Sequence, residues 1–314
     1  MSVVVEDPNS FLWTEKFRPS TIDQIILPER IKKELYSYAK DGQSMNLLLA
    51  GSPGIGKSTI SKALAKELGA DLMFINASVE NGIDTIRNKV IQFASTASFE
   101  GNLKIVVFDD AYKLSPEGQN SLNGAIEAFH QNTRFIFTTN FKNKIIDAIQ
   151  SRCNSIDFSM KPEEKQELTM KAWKRSMEIL TQEGVEFDKK TVATIVSRYF
   201  PDMRRVLNAL QKASACGKVD STTLSESIPT DALYAFMKEK KFGDVRKWVA
   251  QNSGDYQEVF RDIYDQLLTL FVGQSIPQVV ILLDMYQDRL TRVADPEITM
   301  MACLTEIMAT VEWK

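Results

Sequence analysis

Gly51-Ser52-Pro53-Gly54-Ile55-Gly56-Lys57-Ser58-Thr59 decides how the chain is read. Its spacing is G-x-x-x-x-G-K-[ST], a Walker A phosphate loop. Leu47, Leu48, Leu49 and Ala50 precede it, a short apolar run of the kind that forms a buried parallel strand. Ile60, Ala63, Leu64 and Leu68 follow with helical spacing. Glycines let successive backbone N–H groups turn into one concavity, and the N-terminus of the following helix adds partial positive charge. In such a loop Lys57 reaches the β/γ-phosphates and the Ser58 hydroxyl ligates Mg²⁺. Four fixed positions at this spacing arise by chance in roughly one chain in a hundred of this length, before the strand and helix are required as well. The stretch is a nucleotide site.

The rest of the composition narrows the class. The 314 residues are enough for two or three domains with real cores. Charged residues make up 25% and hydrophobic ones 44%, and the net charge is -3. That balance excludes a generally basic, DNA-coating protein, so nucleic-acid contacts have to come from a local patch or from helix N-termini. The three cysteines, Cys153, Cys216 and Cys303, show no paired spacing and suit a reducing, cytoplasmic setting. The single histidine, His130, reads as a solvated helix-end residue rather than part of a metal site. No apolar run reaches the length of a membrane span and no signal region opens the chain, so a soluble protein without membrane contact is expected.

Taken in order, residues 1–10 read as a loose arm. Leu12 to Ile22, dense in aromatic and basic residues before Pro19, reads as an extended, packed segment. Residues 29–41 carry Ile31, Leu35 and Tyr38 on one helical face. Leu72-Met73-Phe74-Ile75 reads as a second buried strand, and Gly82-Ile83-Asp84 opens a helix with Ile86, Val90 and Phe93. A third strand, Lys104 to Phe108, ends in Asp109-Asp110, where a Walker B carboxylate would hold Mg²⁺. A helix is expected from about Ser115 to Phe129, then a strand, Phe135 to Thr139, ending in Asn140, then a short last strand near Ile156. Alternating strands and helices after a phosphate loop predict a doubly wound parallel α/β sheet, here five-stranded. Beyond Pro162 only helical periodicity is read. We therefore expect a nucleotide-binding domain at 1–160, a helical lid at 161–228 after which Pro229 marks a linker, and an all-α domain at 229–314. The last is so apolar that subunit contacts are expected on part of its surface.

Together these residues resemble the clamp-loader branch of the AAA+ ATPases along essentially the whole chain. Trp13-Thr14-Glu15-Lys16-Phe17-Arg18-Pro19 is similar to the W-x-E-K-Y-R-P box of replication factor C subunits. Phe74-Ile75-Asn76-Ala77-Ser78, Gly82-Ile83-Asp84-x-x-Arg87 and Ser151-Arg152-Cys153 resemble further elements of that family in the same order. The short length, the absence of a zinc module and the ending Glu312-Trp313-Lys314 look most like its bacteriophage members. The resemblance implies that ATP and Mg²⁺ are held by Gly51, Ser52, Pro53, Gly54, Ile55, Gly56, Lys57, Ser58 and Thr59, with Asp109 as metal carboxylate. It implies Asn140 as sensor 1, Arg204 as the lid's sensor 2 arginine, and Arg18 and Pro19 along the adenine side. Arg152 becomes an arginine finger that reaches the ATP of a neighbouring subunit. The implied partners are further copies of the chain, a small clamp-loader subunit, a ring-shaped sliding clamp and primer–template DNA.

There are departures. Asp110 stands where the family has the Glu that polarises the attacking water, and Tyr112 replaces a usual second acid. Asn123-Gly124 stands where a family helix often carries two arginines. For DNA, the resemblance points to phosphate contacts at the helix starting near Ile83, with Arg87, and at the helix starting near Ser115. Two other readings stay open on sequence: a nucleotide-gated scaffold with weak hydrolysis, for which Asp110 speaks, and another AAA+ motor acting on DNA.

Overall fold

The computed structural model describes residues 11–40, 45–79, 83–96, 103–215, 217–220, 230–252, 256–290 and 292–314. The expected N-terminal arm, Gly82, Cys216 and the linker at Pro229 lie outside these. The chain divides into two compact units, Met1–Asp220 and Ser221–Lys314.

The first unit opens with α1 (Trp13–Lys16) and α2 (Glu29–Lys40), then β1 (Leu47–Ala50) and α3 (Lys57–Glu67). β2 (Asp71–Asn76), α4 (Ile83–Ser95), β3 (Lys104–Asp109) and α5 (Pro116–Ala128) follow. β4 (Thr133–Thr139), α6 (Asp147–Gln150) and β5 (Asn154–Asp157) complete a sheet of order β2-β3-β4-β1-β5. Every pairing in it is parallel, as the doubly wound reading requires.

Period-two alternation sorts the strand residues between two helical layers. Leu47 and Leu49 of β1, Ile105 and Val107 of β3 and Ile136 of β4 form one core with Ile31 and Leu35 of α2 and Ile60 and Leu64 of α3. Leu48, Val106, Phe135 and Phe137 face the other way, onto Ile86 and Val90 of α4 and Leu122 and Ile126 of α5. There Phe108 and Phe137 stack at 5.2 Å. Burial on both faces explains why β1, β3 and β4 read as continuous apolar runs.

Three expectations need correction. The segment before Pro19 is not wholly extended: the carbonyl of Leu12 accepts from the N–H groups of Glu15 and Lys16, making α1. Proline restricts only the residue before it, so Arg18 is constrained while Trp13–Lys16 is free to coil. β2 is not a buried strand, because it is the sheet edge; only Ile75 is buried, and Leu72 is 37% exposed. The segment after Pro162 is not purely helical. Beside α7 (Pro162–Gln182), α8 (Lys189–Tyr199) and α9 (Met203–Ser214), β6 (Glu186–Phe187) and β7 (Lys218–Val219) form a short parallel ladder. Two-residue strands leave no periodicity to read.

The lid helices bury Leu168, Ala172, Ile179, Val192, Ile195, Val206 and Leu210. Two are capped by aspartates: Asp188 accepts from Thr191 N at 3.0 Å and Asp202 from Arg205 N at 3.0 Å.

One buried charge ties a strand to a helix end. Lys104, 3% exposed, donates through Nζ to the carbonyls of Phe93 (2.6 Å) and Thr96 and to Thr96 Oγ1 (2.9 Å). It neutralises the carbonyl end of α4, where a cation is favoured. Lys104→Met is expected to lower unfolding stability by about 2 kcal/mol, since the acceptors at the end of α4 lose a charged donor. Urea denaturation of the chain measures this; a loss below about 0.5 kcal/mol would contradict it.

The second unit comprises α10 (Thr230–Lys238), α11 (Phe242–Gln251), α12 (Tyr256–Asp265), α13 (Leu267–Leu270), α14 (Ile276–Leu290) and α15 (Pro296–Thr310). They close around Trp248, Phe260, Phe271, Leu304 and Ile307. The Phe271 ring lies 4.6 Å from that of Trp313, where the chain ending pairs back onto the core. Leu268, Ile281 and Ile298 stay on the outside, at 74%, 68% and 67% exposure. Among the described residues no helix is long and apolar enough to cross a membrane.

Candidate nucleotide site

The site grows from the C-terminal ends of β1, β3 and β4. Gly51 N donates to Thr139 O at 3.2 Å, carrying the ladder one residue past β1 before the loop turns away. Gly54 and Gly56 then take φ of +72° and +96°, a left-handed region that strongly favours glycine. Gly56 is the N-cap of α3, so the loop delivers the first-turn N–H groups of that helix to its own concavity. Ile55 is buried and anchors the loop to the core, while Ser52 and Pro53 are exposed and Thr59 is half-buried.

Lys57 is the buried cation of the site. At 7% exposure its Nζ donates to Gly51 O (2.8 Å), Ser52 O (2.7 Å) and Asn140 Oδ1 (2.7 Å). The loop lysine and the polar residue at the end of β4 thus meet. Burial pushes the Lys57 ammonium down from 10.5 to about 8, against the opposing pull of Asp110 and Asp109, while the positive charge of Arg204 pushes the same way as burial.

This has a pH consequence. An anionic phosphate in the loop favours the charged lysine, so the bound form holds its proton to higher pH than the free form. Nucleotide affinity is therefore full below about pH 8 and weakens as pH rises through it, approaching about tenfold per unit. Calorimetric titration at pH 9 in buffers of different ionisation heat should show uptake approaching one proton per nucleotide, against little at pH 7. No buffer dependence at pH 9 would contradict the assignment.

A second cluster faces the lysine. Ser58 Oγ donates to Asp109 Oδ1 at 2.5 Å, and Thr138 Oγ1 donates to the same oxygen at 2.7 Å. Thr138 Oγ1 also accepts from Asp110 N at 3.0 Å, so one hydroxyl from β4 holds both aspartates. Sequence reasoning missed Thr138; its signal was a polar residue in an apolar strand one position before the strand end. Asp110 has φ +54° and ψ +42°, and its Oδ2 lies 3.4 Å from Ser78 Oγ and 3.6 Å from Lys113 Nζ.

The lid enters at α9. Met203 N donates to Gly54 O at 3.2 Å, and a Cβ built on Gly54 would fall 1.8 Å from Asp202 Oδ1. Asp202 therefore packs directly on the phosphate loop, and Arg204, two residues on, is near enough for its charge to act on Lys57. Asp202 was not singled out in the sequence, although an Asp at a helix start marks an N-cap. The α1 segment also meets the lid: Trp13 is buried and its backbone N–H donates to Gln211 Oε1 of α9 at 3.0 Å.

Three predicted residues lie apart from this cluster in their bonding. Arg18 donates to the carboxylate of Glu15, with Nε at 3.0 Å from Oε2. Arg87 is exposed on α4. Arg152 donates to Glu127 on α5 and to Ala148 O. The thiols of Cys153 and Cys303 are free, and burial pushes both up to about 12.

Comparison with known proteins agrees with this geometry. The profile of the ATPase family associated with various cellular activities matches residues 47–160, and that of the sliding-clamp-loader large subunit, AAA+ ATPase lid domain, matches residues 164–225. The chain is 31% identical to the sliding-clamp-loader large subunit of Enterobacteria phage T4 over 308 residues, covering 96% of each. It is 38% identical to the replication factor C small subunit of Saccharolobus solfataricus, over 70% of this chain and 66% of that one. The fold alone is shared with Thermotoga maritima RuvB, a Holliday junction branch migration motor, at TM-score 0.52 and 18% identity over 67% of this chain and 71% of that one. A nucleotide site built on the phosphate loop, a lid helix seated on that loop and full-length relatedness converge: the chain belongs to the clamp-loader family of AAA+ ATPases.

Proposed function

We propose that this chain is the ATP-hydrolysing subunit of a sliding-clamp loader, assembled with further copies of itself and a smaller subunit. It would open a ring-shaped clamp, load it on primer–template DNA and let go after hydrolysis. The observation that carries the reading is the assembled half-site: Lys57, Ser58, Asp109 and Asn140 converge in one chain, while Arg152 is bonded elsewhere. A site with its binding groups in place and its finger on another surface suits a machine whose hydrolysis waits for assembly.

The residues divide the work by chemistry. The loop N–H groups and Lys57 bind the triphosphate, and Lys57 leaves two carbonyls to do so. Asn140 holds the lysine until nucleotide arrives and then faces the terminal phosphate. Asp110 takes the role of polarising the attacking water. Arg204 approaches the same phosphate from the lid, and Arg18 lies along the adenine side.

Mg²⁺ suits the Ser58 and Asp109 oxygens. They are hard donors already converged at 2.5 Å, and this ion keeps most of its waters rather than asking for a full protein cage. Bound there, it would neutralise charge on the β- and γ-phosphates.

Arg87 and the start of α5 would meet DNA phosphates without sequence preference. The exposed Leu268, Ile281 and Ile298 of the second unit fit contacts between subunits. Steady-state hydrolysis by the purified assembly, with and without primer–template DNA and clamp, tests the proposal. Stimulation by both together is expected; turnover indifferent to both would overturn it.

A further inference from the structure

Arg152 is held by more of its own chain than a surface arginine needs. Its Nε donates to Glu127 Oε1 at 3.1 Å, its second terminal nitrogen donates to the same oxygen, and its first donates to Ala148 O at 2.8 Å. All three guanidinium nitrogens are thus engaged from two elements, α5 and α6. Its main chain is also tied, since Arg152 O accepts from Asn46 Nδ2 at 3.3 Å. A guanidinium carries five N–H donors in a rigid plane. Glu127 takes the edge made by Nε and one terminal nitrogen. Each terminal nitrogen keeps one N–H unused by these bonds.

Side-chain exposure is 37% for Arg152 and 62% for Glu127, so the pair is worth little to folding. Its geometric content is larger, because it removes rotamer freedom from a long side chain before any ligand arrives. Resting on the assignment of Arg152 as the finger in trans, we infer that Glu127 is a positioning residue for hydrolysis at the neighbouring site. It clamps one edge of the guanidinium and leaves one N–H on each terminal nitrogen for the neighbour's terminal phosphate. The carboxylate itself touches neither nucleotide nor the attacking water.

The test uses the complete assembly and measures DNA- and clamp-stimulated turnover, nucleotide affinity and assembly mass for five forms: wild type, Glu127→Gln, Glu127→Ala, Arg152→Ala and the double variant Glu127→Ala with Arg152→Ala. Because loss of orientation is felt strongly in such steps, Glu127→Ala should lower kcat about tenfold, with KM and affinity within about twofold. Glu127→Gln keeps an oxygen to accept from Nε and should fall between the two. In the Arg152→Ala background Glu127→Ala should change nothing further. The inference is overturned if Glu127→Ala keeps kcat within about twofold while Arg152→Ala abolishes it. It is also overturned if Glu127→Ala lowers turnover again in the double variant, or acts only by dissociating the assembly. Normal turnover of Arg152→Ala alone would remove the finger assignment itself, a separate failure that the same panel identifies.

Discussion

Arg152→Ala should reduce DNA- and clamp-stimulated ATP turnover of the assembly by about a thousandfold or more while leaving nucleotide affinity within about twofold. The size follows from the role. A finger acts on charge that develops at the transferring phosphoryl group, so its loss is felt in kcat rather than in ground-state binding. The near-normal affinity follows from the geometry, since the hydrogen bonds of Arg152 run to Glu127 and Ala148 while the phosphate loop is built from Lys57, Ser58, Asp109 and Asn140. Mixing sharpens the measurement. Arg152→Ala subunits have intact pockets and Lys57-substituted subunits have intact fingers, so assemblies containing both should recover some turnover where a good finger faces a good pocket. Recovery to zero in every ratio, or full activity of Arg152→Ala alone, would refute hydrolysis shared between subunits.

Lys57→Met should weaken ATP binding at least about a hundredfold. Two charge-assisted contacts to phosphate oxygens, at about 1.5–3 kcal/mol each, already amount to that factor or more. Methionine keeps much of the volume of the buried stem, so the loop is not simply emptied. Fluorescence titration with a labelled nucleotide measures the loss; affinity within about fivefold of wild type would mean that the loop N–H groups and α3 do the binding and Lys57 does not. The pH dependence around 8 should disappear in the same variant, because the titrating group is gone.

Much of this protein is legible in its sequence, for reasons that can be named. Strand β1 and helix α3 announce themselves because a phosphate loop needs glycine at positions with positive φ, and those glycines are spaced by the loop and not by chance. Asn140 and Asp109 were readable because both stand at strand ends, where a parallel sheet delivers side chains to one crevice. Local rules fail where tertiary pairing decides. β2 has the apolar content of a buried strand, and only its place in the order β2-β3-β4-β1-β5 makes it an edge. α1 forms in the shadow of Pro19 because Trp13 is buried and its backbone N–H has Gln211 to bond. Asp202 against Gly54, Thr138 between two aspartates and Glu127 on Arg152 pair residues 148, 28 or 29, and 25 positions apart. No periodicity encodes such meetings.

The left-handed backbone at Asp110 ties chemistry to chain geometry. Outside glycine this conformation is visited mainly by Asn and Asp, whose short polar side chains can bond locally. At φ +54° the main chain therefore selects the length of the acid as much as hydrolysis does. Nor is the selection confined to one residue, since the Asp110 N–H and the Asp109 carboxylate share the single hydroxyl of Thr138. A longer acid that relaxed the backbone would tug that hydroxyl and, through it, the oxygen that faces Ser58. On the proposed roles, water activation and metal binding are thus coupled through one hydroxyl, and a change at Asp110 is expected to be felt at Thr138 and Asp109.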